Sequence, residues 1–355
     1  MITTDMERND IDRLVRRNIA TLSPYSTARD EYQGELGTFL DANENPYENG
    51  YNRYPDPHQR RLKTRLSAIK GVPVENIFVG NGSDEAIDLI FRIFCEPHRD
   101  NVVAIAPSYG MYKVAAAIND IEVREVQLGD DFSLPVDAIL GRTDANTKAI
   151  FLCSPNNPTG NAFPRGEILR LADAFDGITV VDEAYIDFAE VEGLKNEIFR
   201  RPRLIVLQTL SKAWAMAGLR IGLALADSRV VELMSMVKYP YNVSEATMRI
   251  VKDLLDLPVD DQVASIKTQR AVVMDALSRM KVVRRVYPSD ANFVLVRFDD
   301  ADAVYDHLIG DGIIVRNRNR VKGCEGCLRI TIGLKEENDK LLKSLAEYET
   351  KSYLR

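Results

Sequence analysis

The stretch NIFVGNGSDEAIDLIFRIF, residues 76–94, decides the fold class. Residues 76–79 carry the apolar run of a strand. Gly80-Asn81-Gly82-Ser83-Asp84 interrupts it, and Ala86, Ile87, Ile90, Phe91 and Phe94 then recur at helical spacing, with Ser83 or Asp84 placed as the N-cap. Strand, glycine turn and helix in immediate succession are one half of an α/β repeat, and the pattern continues outward. Residues 102–105, 149–153, 178–181, 204–208 and 221–226 are continuous apolar runs of the kind buried on both faces of a parallel sheet, and helical patterns separate them. Most of these runs end in polar or glycine-containing turns, and it is outside the carboxyl ends of strands that open α/β sheets place their ligands. After about residue 245 the pattern changes. Met248, Ile250, Val251 and Leu254 mark a long helical stretch, and two further strands are expected at 292–298 and 327–332. The division expected from this is a large domain over 41–245 and a smaller one built from both chain ends, 1–40 and 246–355.

Composition narrows the function classes. With 355 residues there is room for two domains, and 45% hydrophobic residues beside 20 Gly and 15 Pro exclude a collagenous or disordered chain. Lys+Arg of 46 against Asp+Glu of 53 gives a net charge of -7, the wrong sign for a general polyanion binder, so an anion bound here must be held locally. Cys95, Cys153, Cys324 and Cys327 are too few for a disulfide framework in a chain this long and read as reduced thiols of a cytoplasmic protein. MITTDMERND at the start lacks the basic and apolar regions of a signal peptide, and the most apolar stretch, 213–226, is cut by Arg220 and falls short of a membrane span. A soluble protein is expected.

Three segments carry chemistry. In the first, Gln208-Thr209-Leu210-Ser211-Lys212-Ala213 and Gly218-Leu219-Arg220-Ile221-Gly222 follow a buried strand. A lysine in an apolar neighbourhood supplies the neutral amine that Schiff-base chemistry needs, and Ser, Thr and Arg are the donors that a phosphate monoester needs. In the second, Val180-Val181-Asp182-Glu183-Ala184-Tyr185, an aspartate at a strand end is able to keep a pyridine nitrogen protonated. In the third, Ser154-Pro155-Asn156-Asn157-Pro158-Thr159-Gly160, an amide is placed to donate to a phenolate oxygen. Each has an ordinary reading when taken alone: a solvated lysine, a helix-capping aspartate, a turn cluster. Cys324-Glu325-Gly326-Cys327 has the spacing of half a zinc site, but no second pair accompanies it and His58, His98 and His307 are scattered, so no metal is expected. Gly80-Asn81-Gly82 is not a dinucleotide fingerprint, because position 85 is Glu.

In order and spacing, Asn157, Asp182 with Tyr185, Ser211-Lys212, Arg220 and Arg329 within Leu328-Arg329-Ile330-Thr331-Ile332-Gly333 resemble the fold-type I pyridoxal-phosphate (PLP) aminotransferases, from about Tyr25 to about residue 345. Within that superfamily the chain is similar to the histidinol-phosphate aminotransferase family. The segments that carry the likeness are LSPY at 22–25, DANENP at 41–46, NRYPD at 52–56, PSYGMY at 107–112, CSPNNPTG at 153–160, DEAYIDF at 182–188, TLSKAWAMAGLRIG at 209–222 and GCLRITIG at 326–333. The segment between Pro46 and Asn52 is short and lacks the Gly-Pro-Ser run of many relatives.

The resemblance implies an α/β fold with a large PLP-binding domain, its mostly parallel central sheet flanked by helices, plus a smaller α/β domain. It also implies a cytoplasmic homodimer that exchanges an amino group between L-histidinol phosphate and 2-oxoglutarate, giving imidazole-acetol phosphate and glutamate. Lys212, Asp182 and Tyr185 are the implied catalytic residues. Asn157 and Tyr185 would bond the cofactor's ring oxygen and Tyr109 would stack on the ring. Ser83, Asp84, Thr209, Ser211 and Arg220 would hold its phosphate, and Tyr54 would reach into the partner's site. Arg329, Arg316, Tyr25 and Asn157 are the implied substrate contacts, while among Arg316, Arg318 and Arg320 two arginines are expected only to be solvated. An aromatic aminotransferase or a phosphothreonine decarboxylase of the same fold would share Lys212 and Asp182, and a ligand sensor without turnover is the reading from another class. No nucleic acid or membrane partner is expected.

Overall fold

A computed structural model describes residues 10–25 and 37–352. In chain order the strands are β1 (Ile77–Asn81), β2 (Asn101–Ala106), β3 (Glu122–Gln127), β4 (Thr147–Cys153), β5 (Ile178–Asp182), β6 (Leu204–Thr209), β7 (Ile221–Leu225), β8 (Val283–Val286), β9 (Phe293–Phe298), β10 (Arg316–Asn317) and β11 (Cys327–Thr331). The longer helices are α1 (Arg60–Lys70), α2 (Ser83–Phe94), α3 (Met111–Ile118), α4 (Arg165–Ala174), α5 (Ser228–Val237), α6 (Glu245–Leu254), α7 (Asp260–Ser278), α8 (Ala301–Gly310) and α9 (Lys335–Ser352). Among the described residues no helix is long and apolar enough to cross a membrane.

The chain forms two compact units, each assembled from separate stretches. The first comprises Met1–Asp100, Ala115–Ile121 and Lys195–Pro258. Its strands are antiparallel: β1 pairs with β7 from Ile77↔Leu225 to Asn81↔Ile221, and β7 pairs with β6 from Val206↔Leu225 to Thr209↔Gly222. β6 and β7 are buried throughout, and their sequences are apolar but for Gln208 and Thr209 at the end of β6. Against β1 and β7 packs α2, which buries Ala86, Ile87, Leu89, Ile90, Phe91, Ile93 and Phe94. At about 1.5–3 kcal/mol for each large apolar side chain buried, that face holds the helix in place. Asp84 and Glu85 in its first turn and Arg92 in its last complement the helix dipole.

The second unit comprises Asn101–Val114, Glu122–Leu194 and Val259–Arg355. Here β2 pairs in parallel with β3 and with β4, and β4 with β5. A separate antiparallel sheet runs β10-β11-β9-β8. Val294, Val296, Leu328 and Ile330 from its strands pack with Val273 and Leu277 of α7, Val304 and Leu308 of α8, and Leu341 and Leu345 of α9.

Two features differ from the sequence expectation. The long helical stretch after residue 245 is two helices, α6 and α7, because Pro258 disfavours helical geometry in the residue before it and ends the run. Strands β3 and β8 were not anticipated. Both mix charged and apolar residues without strict alternation, as EVREVQ and VRRV, and only Val126 of β3 is fully buried, so neither carries the continuous apolar signal of an interior strand nor the alternation of a half-buried one.

Candidate active site

In the first unit three segments meet at one end of the ladder, because Asn81 stands opposite Ile221 and Thr209 opposite Gly222. Gly82 precedes α2 at φ +79°, a conformation that costs glycine nothing, and it has no side chain with which to cap the helix. The first N–H groups of α2, from Ser83 and Asp84 onward, lack intrahelical acceptors and face outward from the turn. A Cβ on Gly82 would lie 2.6 Å from Arg220 Nη2, and one on Gly222 would lie 2.7 Å from Ser83 Cα and closer still to Ser83 N. The two glycines therefore let the chain close on itself here. Gly82 N donates to Arg220 O at 2.7 Å. Arg220 is itself left-handed at φ 55°, its Nη1 donates to Ala217 O at 3.2 Å, and its Nη2 stands 3.6 Å from Asp84 Oδ2. Ser211 N donates to Thr209 Oγ1 at 3.0 Å, and the two hydroxyl oxygens are 2.9 Å apart. Lys212 is exposed, whereas Ala213 and Met216 are buried. The turn after β6 sends those two apolar side chains inward and leaves Lys212 exposed, where the sequence predicts an apolar neighbourhood. Tyr25 and Tyr54 are also exposed, and Tyr54 stacks on Tyr241 with ring centroids 4.5 Å apart.

The second unit holds the acidic and aromatic group. Asp182 ends β5 beside Cys153 of β4 and is 3% exposed. Its two oxygens accept from Tyr112 Oη at 2.9 Å and from Ala184 N at 3.0 Å. Burial, then the adjacent Asp182 carboxylate, raise the Tyr112 hydroxyl well above its ordinary pKa, so it stays a neutral donor. Its ring stacks on Phe151 at 5.1 Å and meets Tyr109 edge-on at 5.6 Å. Asn157, also buried, donates from Nδ2 to Tyr185 Oη at 3.3 Å and accepts at Oδ1 from Arg329 Nη1. Burial pushes the Tyr185 hydroxyl up as well. Phe293 meets the Tyr185 ring edge-on at 5.1 Å and lies 5.2 Å beneath the Arg329 guanidinium. Arg316 stands directly opposite Arg329 across the β10–β11 pair. The loop that presents Asn157 is pinned by its neighbour: Asn156 donates to Pro107 O at 3.0 Å and Thr159 Oγ1 at 2.8 Å and accepts from Ser108 Oγ at 2.8 Å.

Residues 37–345 match the aminotransferase class I and II family. The chain belongs to that family. This aminotransferase is 52% identical over 338 residues to the histidinol-phosphate aminotransferase of Parabacteroides distasonis, covering 95% of this chain and 98% of that one. Among solved structures it is similar to the histidinol-phosphate aminotransferase of Clostridium acetobutylicum, with TM-score 0.77 and 23% identity, covering 84% of this chain and 91% of that one. It is also similar to the Sinorhizobium meliloti enzyme of that name in complex with pyridoxal-5'-phosphate, with TM-score 0.76 and 25% identity, covering 84% of this chain and 83% of that one. The fold is the family's α/β arrangement, a mostly parallel sheet flanked by helices.

Sequence reasoning about this aminotransferase left Tyr112 out, as a residue that either joins the site or packs beneath Tyr109, and missed the Ser108–Asn156–Thr159 network and the position of Arg318. Tyr112 follows Tyr109 by three residues within PSYGMY, and that nearness was its signal.

Proposed function

We propose that this aminotransferase uses PLP to interconvert L-histidinol phosphate and 2-oxoglutarate with imidazole-acetol phosphate and L-glutamate, in the cytoplasm and in histidine biosynthesis. The observation that carries the substrate is the 52% identity over 95% of the chain to a relative of that name. The residues fit the cofactor. The turn closed by Gly82 and Gly222, with the uncapped α2 terminus, Arg220, Ser211 and Thr209 grouped at it, supplies the donors for a phosphate monoester, and Asp182 is a buried carboxylate suited to a pyridine nitrogen.

Bound PLP supplies the electron sink that takes up the electrons of the broken Cα–H bond. Lys212 Nζ anchors the cofactor and moves the proton to and from Cα. Asp182 keeps the ring nitrogen protonated, and the neutral hydroxyl of Tyr112 keeps Asp182 oriented and ionised. Asn157 and Tyr185 bond the ring oxygen, and Tyr109 stacks on the ring. Arg329 and Arg316, with Tyr25, hold the substrate's terminal anion.

The assembly we propose is a two-fold dimer in which Tyr54 completes the partner's site. Its support is the exposed apolar surface of this region, where Leu40 is 89%, Tyr47 82% and Tyr51 62% exposed in the single chain. The test of the whole reading adds candidate amino donors singly to the PLP-loaded enzyme and follows the cofactor's visible absorption. Conversion by histidinol phosphate and by glutamate is expected. Conversion by aromatic amino acids alone, or release of carbon dioxide, would replace the reading.

A further inference from the structure

Arg318 is set apart from the other arginines of its segment by where the β10–β11 pair leaves it. Arg316 faces Arg329 directly, and alternation along an extended chain returns Arg318 to the same side. Arg318 N donates to Cys327 O at 2.9 Å, which carries the pairing one step past β10. Like charges opposed across two strands destabilise them, and a third guanidinium on that side adds to the cost. Asp302 serves the residues that flank Arg318: it accepts from Asn317 Nδ2 at 2.7 Å and from Asn319 Nδ2 at 2.8 Å. Arg318 is half-buried, and its Nε is enclosed with no hydrogen-bond partner among the described residues; Arg329 Nε is in the same condition. Burial first, then Arg329, then Arg316 lower the pKa of Arg318, while the groups that favour its charge are the Cys324 thiol and the Tyr185 hydroxyl, which burial keeps neutral. Enclosed donors without acceptors, carried by crowded cations beside Tyr185, are completed by an anion with several oxygens.

We propose that Arg318 is a specificity-determining residue that, with Arg316 and Arg329, makes a three-guanidinium pocket for a phosphate dianion and favours the phosphate-bearing amine over the carboxylate-bearing one. The inference rests on the substrate reading given above. A carboxylate brings one charge and two oxygens, which two arginines match. A phosphate monoester brings up to two charges and three outer oxygens, and the third guanidinium answers them.

The test compares the PLP-loaded wild type, R318Q and R318K. R318Q is expected to raise KM for histidinol phosphate about tenfold more than KM for glutamate, equal to about 1.4 kcal/mol of selectivity, and to weaken inhibition of the glutamate half reaction by inorganic phosphate. R318K should recover part of both. Because Arg318 is held against like charges, R318Q without substrate should melt no lower than the wild type, whereas loss of a merely structural arginine would lower Tm. Equal KM changes for the two substrates, or phosphate inhibition indifferent to Arg318, overturn the pocket. Failure of the wild type to turn over histidinol phosphate overturns the substrate reading instead, since phosphate inhibition is measured without that substrate.

Discussion

Replacing Gly222 with alanine adds one methyl group where two backbone segments touch. Gly222 pairs with Gly80 on β1 and with Thr209 on β6. The new Cβ would stand 2.7 Å from Ser83 Cα, and closer still to Ser83 N and Gly82 C, where ordinary contact begins at 3.4 Å. All three atoms are backbone, so no flexible side chain yields. The turn must shift by about 0.7 Å to relieve the clash with the α-carbon of Ser83 alone, a distance at which the hydrogen bonds of a preorganised cradle are already lost. Overpacking costs typically about 1–3 kcal/mol, and a clash with backbone belongs at the upper end. At about 1.3 °C per kcal/mol for a chain of 355 residues, Tm of the cofactor-free protein should fall by about 4 °C. The same shift moves the N–H groups of Ser83 and Asp84 away from a bound phosphate, and losing one hydrogen bond to a charged group, about 1.5–3 kcal/mol, predicts at least about tenfold weaker PLP binding. The assay is a thermal melt followed by PLP titration read by absorbance. Gly218→Ala is the control, since a Cβ there meets nothing within 4 Å. If Gly222→Ala matches that control in both measurements, the account of the cradle is wrong.

Tyr112→Phe keeps the ring stacked on Phe151 but strips Asp182 of its hydroxyl donor. Stability of the cofactor-free protein should drop by about 1.5–3 kcal/mol and kcat should fall, and an unchanged denaturant midpoint and rate would remove Tyr112 from the site. Asp182→Asn should lower the transamination rate by orders of magnitude, and a loss below about tenfold, or about 1.4 kcal/mol of barrier, would assign the ring-nitrogen role elsewhere. The alkaline limb of stability has a definite sign. Burial raises the Cys324 thiol from 9.0 to about 12, so its contribution is fully present below pH 9.0 and is lost as pH climbs toward 12; Cys153, Tyr185 and Tyr112 act in the same direction. Unfolding midpoints at about pH 8 and about pH 10.5 should therefore differ less in Cys324→Ala than in the wild type, and an equal difference would refute burial of that thiol as the cause.

The sequence by itself determined the interior strands and the positions of the chemical groups on them. Residues 149–153, 178–181 and 204–208 announce burial on both faces through largely apolar runs. Asp182 at the end of one such run and Lys212 after another were legible for the same reason. Edge strands β3 and β8 were not, since EVREVQ and VRRV are neither continuous apolar runs nor strict alternations. Tertiary structure alone decided which side chains became partners. Tyr112 meets Asp182 across 70 residues of chain, and periodicity records that a face is buried without recording what lies against it. Arg316, Arg318 and Arg329 look alike in sequence. Pairing register sets the first against the third, and burial distinguishes the second from a solvated arginine, because the cost of a charge depends on the water and neighbours around it and not on its place in the chain.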